Sequence, residues 1–180
     1  VRRGQLNAAV GAGVEDAPDF LYGATPVALS RNCFFTQQTS TWRFTGTPSL
    51  AEQRLGVIND YSYGDELNTY IALHRHDTER VQTAAGDAAL ELNIRKLMHG
   101  RVDVVLENAW VVQAMLASQG RTGELREAGC RVPDVPIYLA FSPALESSSR
   151  YVALFEQGLQ RCRANGRLQA LLAAYGVENP

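Results

Sequence analysis

The sequence predicts an α/β protein in two lobes, joined by two crossover strands. Strand-like and helix-like segments alternate from Arg54 to Ser118, the pattern of βα units that build a parallel sheet. Within Arg95–Asn108, RKLMHGRVDVVLEN, an amphipathic helix stops at Gly100 and feeds an apolar strand, which is half of an α/β crossover unit. Two long β-rich segments, 26–36 and 136–142, bracket the alternating block, so the chain passes twice between two bodies. On this reading residues 1–48 and 137–180 form the first lobe with the crossover strands. Residues 49–136 form the second, and a ligand cleft lies between them.

Each element has its own signal. Leu6–Val10 reads as a strand that runs into a Gly/Asp/Pro loop, Gly11–Asp19. Pro26–Thr36, PVALSRNCFFT, is the first crossover strand, and Gln37–Pro48 is a polar linker. Ser49 followed by Glu52 predicts a capping box on a short helical turn. A strand at Arg54–Asn59, a loop at Asp60–Tyr63 and a helix over 64–73 follow. A strand at Arg80–Thr83 passes through Gly86 into a helix from Asp87 to His99, with Leu90, Ile94, Leu97 and Met98 as its apolar face. Val102–Leu106 is the next strand and Ala109–Ser118 the next helix. After a Gly/Arg-rich loop comes the second crossover strand, Val135–Ser142. Two closing helices are separated by a stop at Asn165-Gly166, and the last ends at Tyr175-Gly176.

Composition excludes several functions. The 180 residues are 46% apolar and 20% charged, which suits a globular protein with a substantial core. The net charge of −2 and the lack of a basic run argue against nucleic acid or an anionic membrane as partner. No run reaches the roughly eighteen apolar residues of a membrane span. Cys33, Cys130 and Cys162 are an odd, widely spaced set, so a disulfide framework is not expected, and the histidines do not fall at metal-ligand spacing with them. No metal and no cofactor is expected. No GxSxG, HExxH, Walker A or dinucleotide-binding glycine pattern occurs. The opening strand runs straight into a Gly-rich loop without methionine or signal peptide, so upstream sequence is expected to be missing.

Three places carry candidate chemistry. Glu107-Asn108 ends an apolar strand at the carboxyl edge where open α/β sheets bind ligands. Asp60-Tyr61-Ser62-Tyr63-Gly64 leads from a strand into a helix amino terminus, where free N–H groups attract anions; the alternative is an N-cap turn with surface tyrosines. Gly86-Asp87 opens another helix, with Asp87 as an N-cap or as a ligand contact.

The segments LGVINDYSYG, Gly86-Asp87, LMHGRVDVVLEN, VPIYLAFSP and FEQGLQRCRANGRLQALLAAYG occur in an order that resembles the type II periplasmic solute-binding proteins. The resemblance is nearest to the polar amino-acid family that feeds ABC transporters, and it covers nearly the whole chain. It implies a two-lobe periplasmic-binding-protein-like fold, of which the first half of lobe 1 lies outside this chain. It also implies a periplasmic, monomeric, non-enzymatic protein that closes over a small polar solute and delivers it to a membrane permease. Two alternatives stay open: the ligand-sensing domain of a signalling receptor, and a cyclohexadienyl-dehydratase-like enzyme. For the enzyme, Glu107 or Glu15 with His74, His76 or His99 would act in proton transfer; the histidines read equally as solvated or helix-terminal groups.

The resemblance also places ligand contacts. Gly11, Gly13 and Glu15 match a lobe-1 loop whose backbone meets the ligand. Tyr22, with Phe20 and Trp42, offers an aromatic wall or simply core. Tyr61, Ser62 and Tyr63 match the loop that takes ligand carboxylates, and Asp87 the following loop. Asn108 stands where the family usually carries an aspartate for the α-ammonium, while Glu107 points to the opposite face if the strand continues. Arg101 and Asp103 match a GRxD turn in which Asp103 is structural. Glu15, Asp16 and Asp19 replace the family's carboxylate-binding arginine, so an ordinary α-amino acid is disfavoured and a cation favoured.

Overall fold

A computed structural model describes residues 1–174, so the predicted Tyr175-Gly176 stop lies outside the described residues. The chain forms two compact units, one of Val1–Ser30 with the segment from Asp134 onward, the other of Arg31–Pro133. The strands are β1 Ala8–Ala12, β2 Ala28–Ser30, β3 Asn32–Gln37, β4 Leu55–Ile58, β5 Val81–Ala84, β6 Val104–Asn108, β7 Leu125–Cys130 and β8 Val135–Phe141. The helices are α1 Asp65–His74, α2 Ala89–Met98, α3 Ala109–Ser118, α4 Ser148–Ala164 and α5 Arg167–Ala174.

The second unit is built on a five-stranded sheet in the order β5-β4-β6-β3-β7. β4 pairs parallel with β5 and β6, and β3 runs antiparallel to both β6 and β7. Strands buried on both faces read as continuous apolar runs, and β3 and β6 do so. Cys33, Phe35 and Val105 join α2 and α3 residues such as Ile94, Leu97 and Val112 in one cluster. Phe34, Val104 and Leu106 join Leu50, Tyr63 and Leu67 on the opposite face. α1 therefore covers one face of the sheet, and α2 with α3 the other.

The first unit carries a three-stranded antiparallel sheet, β1-β8-β2. The register slips between Val10 and Ala12, and Gly11 sits in this bulge at φ 80°, a left-handed conformation that glycine adopts without strain.

The predicted βα order stands, with several corrections. The first strand lies two residues later than read. The long segment 26–36 is two strands interrupted at Arg31, and β3 belongs to the second unit. The division of the chain consequently falls at Ser30/Arg31 and Pro133/Asp134, not at 48/49 and 136/137, because β3 bonds into the larger sheet. In β7, LREAGC, charged residues and a glycine interrupt the apolar pattern, so the sequence predicts only a loop there; its pairing with β3 supplies the order. The predicted capping box is absent. Thr47–Leu50 is a 3-10 turn starting after Gly46, and Ser49 Oγ donates to the Gly46 carbonyl at 2.6 Å. Cys33 and Cys130 face each other across β3 and β7 and form a disulfide, leaving Cys162 free. Spacing in sequence could not show this, because the ladder brings together residues 97 positions apart.

Candidate functional site

From β4 the chain crosses to β5 by way of α1, on one face of the sheet. From β6 it continues into α3, on the other face. The adjacent carboxyl ends of β4 and β6 thus diverge, and an open α/β sheet leaves its ligand crevice at such a point. A cavity of about 780 Å³ lies there, lined among others by Ile58, Asn59, Tyr61, Asp87, Glu107 and Met115.

Glu107 is the unusual member of this lining. It lies beside Asn108 at the end of β6 and is only 2% exposed. Its Oε1 accepts the Asn108 backbone N–H at 2.7 Å, while its Oε2 has no hydrogen-bond partner. Burial pushes its carboxyl up to about 7, against the opposing pull of that one hydrogen bond. The alternation Val104, Leu106 against Val105 places Glu107 on the α2/α3 side of the sheet. The sequence places it at the ligand-facing end of the strand, and as a base in the enzyme alternative, but turns it to the face opposite Asn108 and leaves it out of the ligand contacts. The available signal was a charged residue closing an otherwise apolar strand.

The predicted residues of this unit take different positions. The Asp60–Gly64 loop is held by Asn68, whose Oδ1 accepts the Tyr63 N–H at 2.9 Å and whose Nδ2 donates to Ser62 Oγ at 3.1 Å. Asp60 adopts φ 60° and Gly64 φ 92° to make the turn. A side chain at Gly64 would collide with the Arg131 guanidinium, 2.6 Å from where its Cβ would lie. Tyr61 is exposed at the cavity edge and Ser62 is exposed beside it. Tyr63 is instead a core residue, 1% exposed, whose hydroxyl accepts the Ile58 N–H at 3.0 Å. Burial, helped by the Glu107 charge, raises its hydroxyl well above the usual tyrosine range. It supports the end of β4.

Asp87 lines the cavity but caps nothing: α2 begins after Ala88 without a side-chain cap. Asn108 does cap α3, with its Oδ1 accepting from Trp110 N at 2.9 Å and Val111 N at 3.3 Å. Its amide oxygen is thereby committed to the helix. Asp103 is structural as expected, gripping Arg54 through Nε and Nη2 at 2.9 and 2.8 Å. Trp42 belongs to the core, packed edge-on to Phe34 and donating its indole N–H to Ser49 O.

The remaining predicted residues belong to the first unit. Tyr22 donates to Ala17 O at 2.8 Å and approaches Gly13 O at 3.4 Å, so its hydroxyl fastens the loop after β1. Gly13 is buried and Glu15 exposed. Phe20 lies under the Arg2 guanidinium, 5.4 Å from its ring centre. Gly11, Gly13 and Tyr22 therefore belong to one loop of the first unit. His74 packs at a tilt against the Tyr70 ring, and His99 approaches the Arg95 carbonyl on its own helix. Neither lines the cavity. Among the described residues, metal-ligating atoms converge only at Cys33, Glu127 and Cys130, whose sulfurs are already joined to each other.

No family model and no curated protein matches the chain. Solved structures do. A histidine kinase sensor domain with similarity to periplasmic binding proteins superposes with a TM-score of 0.75 at 16% identity, over 99% of this chain and 74% of its own. An ancestral arginine-binding protein bound to arginine gives 0.71 at 14% identity, over 97% and 73%. An amino acid ABC transporter substrate-binding protein from Streptococcus pneumoniae, bound to L-arginine, gives 0.68 at 16% identity, over 99% and 73%. The chain has the two-lobe, type II periplasmic-binding-protein fold. No helix among the described residues is long and apolar enough to cross a membrane.

Proposed function

We propose that this chain is the extracytoplasmic solute-binding component of an ABC importer, closing two lobes over a small polar solute and passing it to a membrane permease. The observation that carries this reading is the fold, two α/β units linked by two chain crossings, which solute-binding proteins of amino-acid transporters share. The Cys33–Cys130 disulfide supports an oxidising compartment such as the periplasm. The solute is amine-like or amino-acid-like, with an atypical site, because Asn108 is neutral and spends its side-chain oxygen on α3. Binding acts by population shift: the solute makes more contacts in the closed arrangement and so favours it. The protein works as a monomer and performs no turnover.

A second reading has its own observation. The histidine kinase sensor domain superposes with a TM-score of 0.75 over nearly all of this chain. In that role the same closure signals to a partner instead of supplying a permease.

Thermal-shift screening with amino acids, amines and organic acids tests the first claim, since a solute that binds only the folded state raises the melting temperature. A stabilising solute is expected, and Ser62→Ala and Asn108→Ala should weaken it. A solute whose affinity ignores both variants would remove these residues from the site. A solute consumed during incubation would turn the reading toward the dehydratase-like enzyme.

A further inference from the structure

The cavity at the carboxyl ends of β4 and β6 is acidic, and one of its acids lacks a partner. Asp87, Glu91 and Glu107 line it, with no lysine, arginine or histidine among the lining residues. Glu107 is buried, and its Oε2 accepts no hydrogen bond. A carboxylate oxygen stripped of water and left unpaired is destabilising unless a donor arrives. Across the ladder Glu107 faces Cys33, whose disulfide sulfur donates nothing. Around it the lining is apolar on α3, through Val111 and Met115, and aromatic at the edge, through Tyr61.

We propose that this cavity binds the cationic head of a small organic molecule, an alkyl ammonium or alkyl guanidinium, with the Glu107 carboxylate as its anchor. The proposal rests on the solute-binding reading and names its solute class. Glu107 supplies the negative charge that Asn108, one residue on, does not have. A cationic N–H group satisfies Oε2 while Oε1 keeps the Asn108 N–H. The alkyl chain lies on Val111 and Met115, and the exposed Tyr61 ring offers its face to positive charge. A divalent metal fits poorly. It needs several oxygens converging on one point, and the ligand atoms of Asp87, Glu91 and Glu107 do not converge among the described residues.

The test is calorimetric titration of the full chain near pH 8 with n-butylguanidinium and its neutral isostere n-butylurea. The cation is expected to bind about tenfold tighter or more, the range of a charge-assisted hydrogen bond to a buried group. Glu107→Gln should erase that preference while leaving the melting temperature equal or higher. Val111→Arg, at a position 49% exposed on α3, places a tethered guanidinium at the cavity wall and should weaken the probe about tenfold. This second variant decides the matter if Glu107→Gln fails to fold. Equal binding of the two probes, or a preference that survives Glu107→Gln, overturns the proposal. So does Glu107-dependent binding of calcium chloride without binding of the organic cation. A screened solute that binds wild type and Glu107→Gln equally refutes the anchor and leaves solute binding standing. Glu107-dependent binding of the probe, with no stabilising solute found in the screen, supports the anchor and counts against the transport reading.

Discussion

The two units use the same kinds of element and bury them very differently. In Arg31–Pro133 a five-stranded sheet carries helices on both faces, and its strands contribute to two separate apolar clusters. In the other unit a three-stranded sheet carries α4 on one side, and its buried apolar side chains are Ala140, Phe141 and Leu159 among the described residues. Val10 on its first strand is 84% exposed. Hydrophobic stabilisation grows with apolar area removed from water. The second unit therefore holds the greater share of it, and a site needing a rigid frame is better placed there. Glu107 is held there, in a position where a buried charge requires firm surroundings.

The largest expected effect tests this contrast directly. Phe34→Ala, in the fully buried centre of the larger sheet, should cost ~4–5 kcal/mol in urea denaturation. Phe141→Ala, with Phe155 as an edge-on neighbour 6.4 Å away, should cost nearer ~3 kcal/mol. Equal losses would dissolve the comparison. The next effect sharpens it by placing a stored cost inside the second unit. The folded Glu107 carboxyl titrates near 7, above its ordinary 4.5. The native state therefore binds the extra proton, and stability falls as pH rises from about 4.5 to 7, by at most ~3 kcal/mol. Among the described residues, Tyr61 and Tyr63 from the loop before α1, with Asp87 and Glu91 at the start of α2, are other titratable groups that face this region. Glu107→Gln should thus melt higher than wild type near pH 8, with the gap closing near pH 4.5. A gap independent of pH would mean the carboxyl is not the group responsible. The smallest effect concerns the rim of the same unit. The Arg54 side chain holds the Asp103 carboxyl below its ordinary range, so the contact contributes above the unfolded value and is lost as pH falls through the folded one. With both side chains about a third exposed, Asp103→Asn should cost only ~1 kcal/mol, read from the shift in denaturation midpoint.

The second unit was also the more legible in sequence, for the same physical reason. Burial on both faces writes long apolar runs, and α3 was read at its observed limits, Ala109–Ser118. β7 escaped because it borrows its order from β3. β1 was misplaced because a bulge at Gly11 interrupts its register. The site was less legible still. The resemblance marked Tyr63 and Asn108 as contacts, and packing adds what no resemblance shows, that one hydroxyl lies under β4 and one amide oxygen caps a helix. Glu107 shows the converse, since pairing status is a property of the assembled sheet and leaves no trace in spacing.

The Cys33–Cys130 bond joins β3 to β7 just inside the points where the chain enters the second unit, at Arg31, and leaves it, at Pro133. Nearly all of that unit is thus a covalent loop closed at its neck, with the Arg131 N–H bonding to the Asn32 carbonyl beside it. A protease that cuts once within 34–129 opens a ring and severs nothing. The nicked protein would migrate as one species on a denaturing gel until a thiol is added, and as two fragments afterwards.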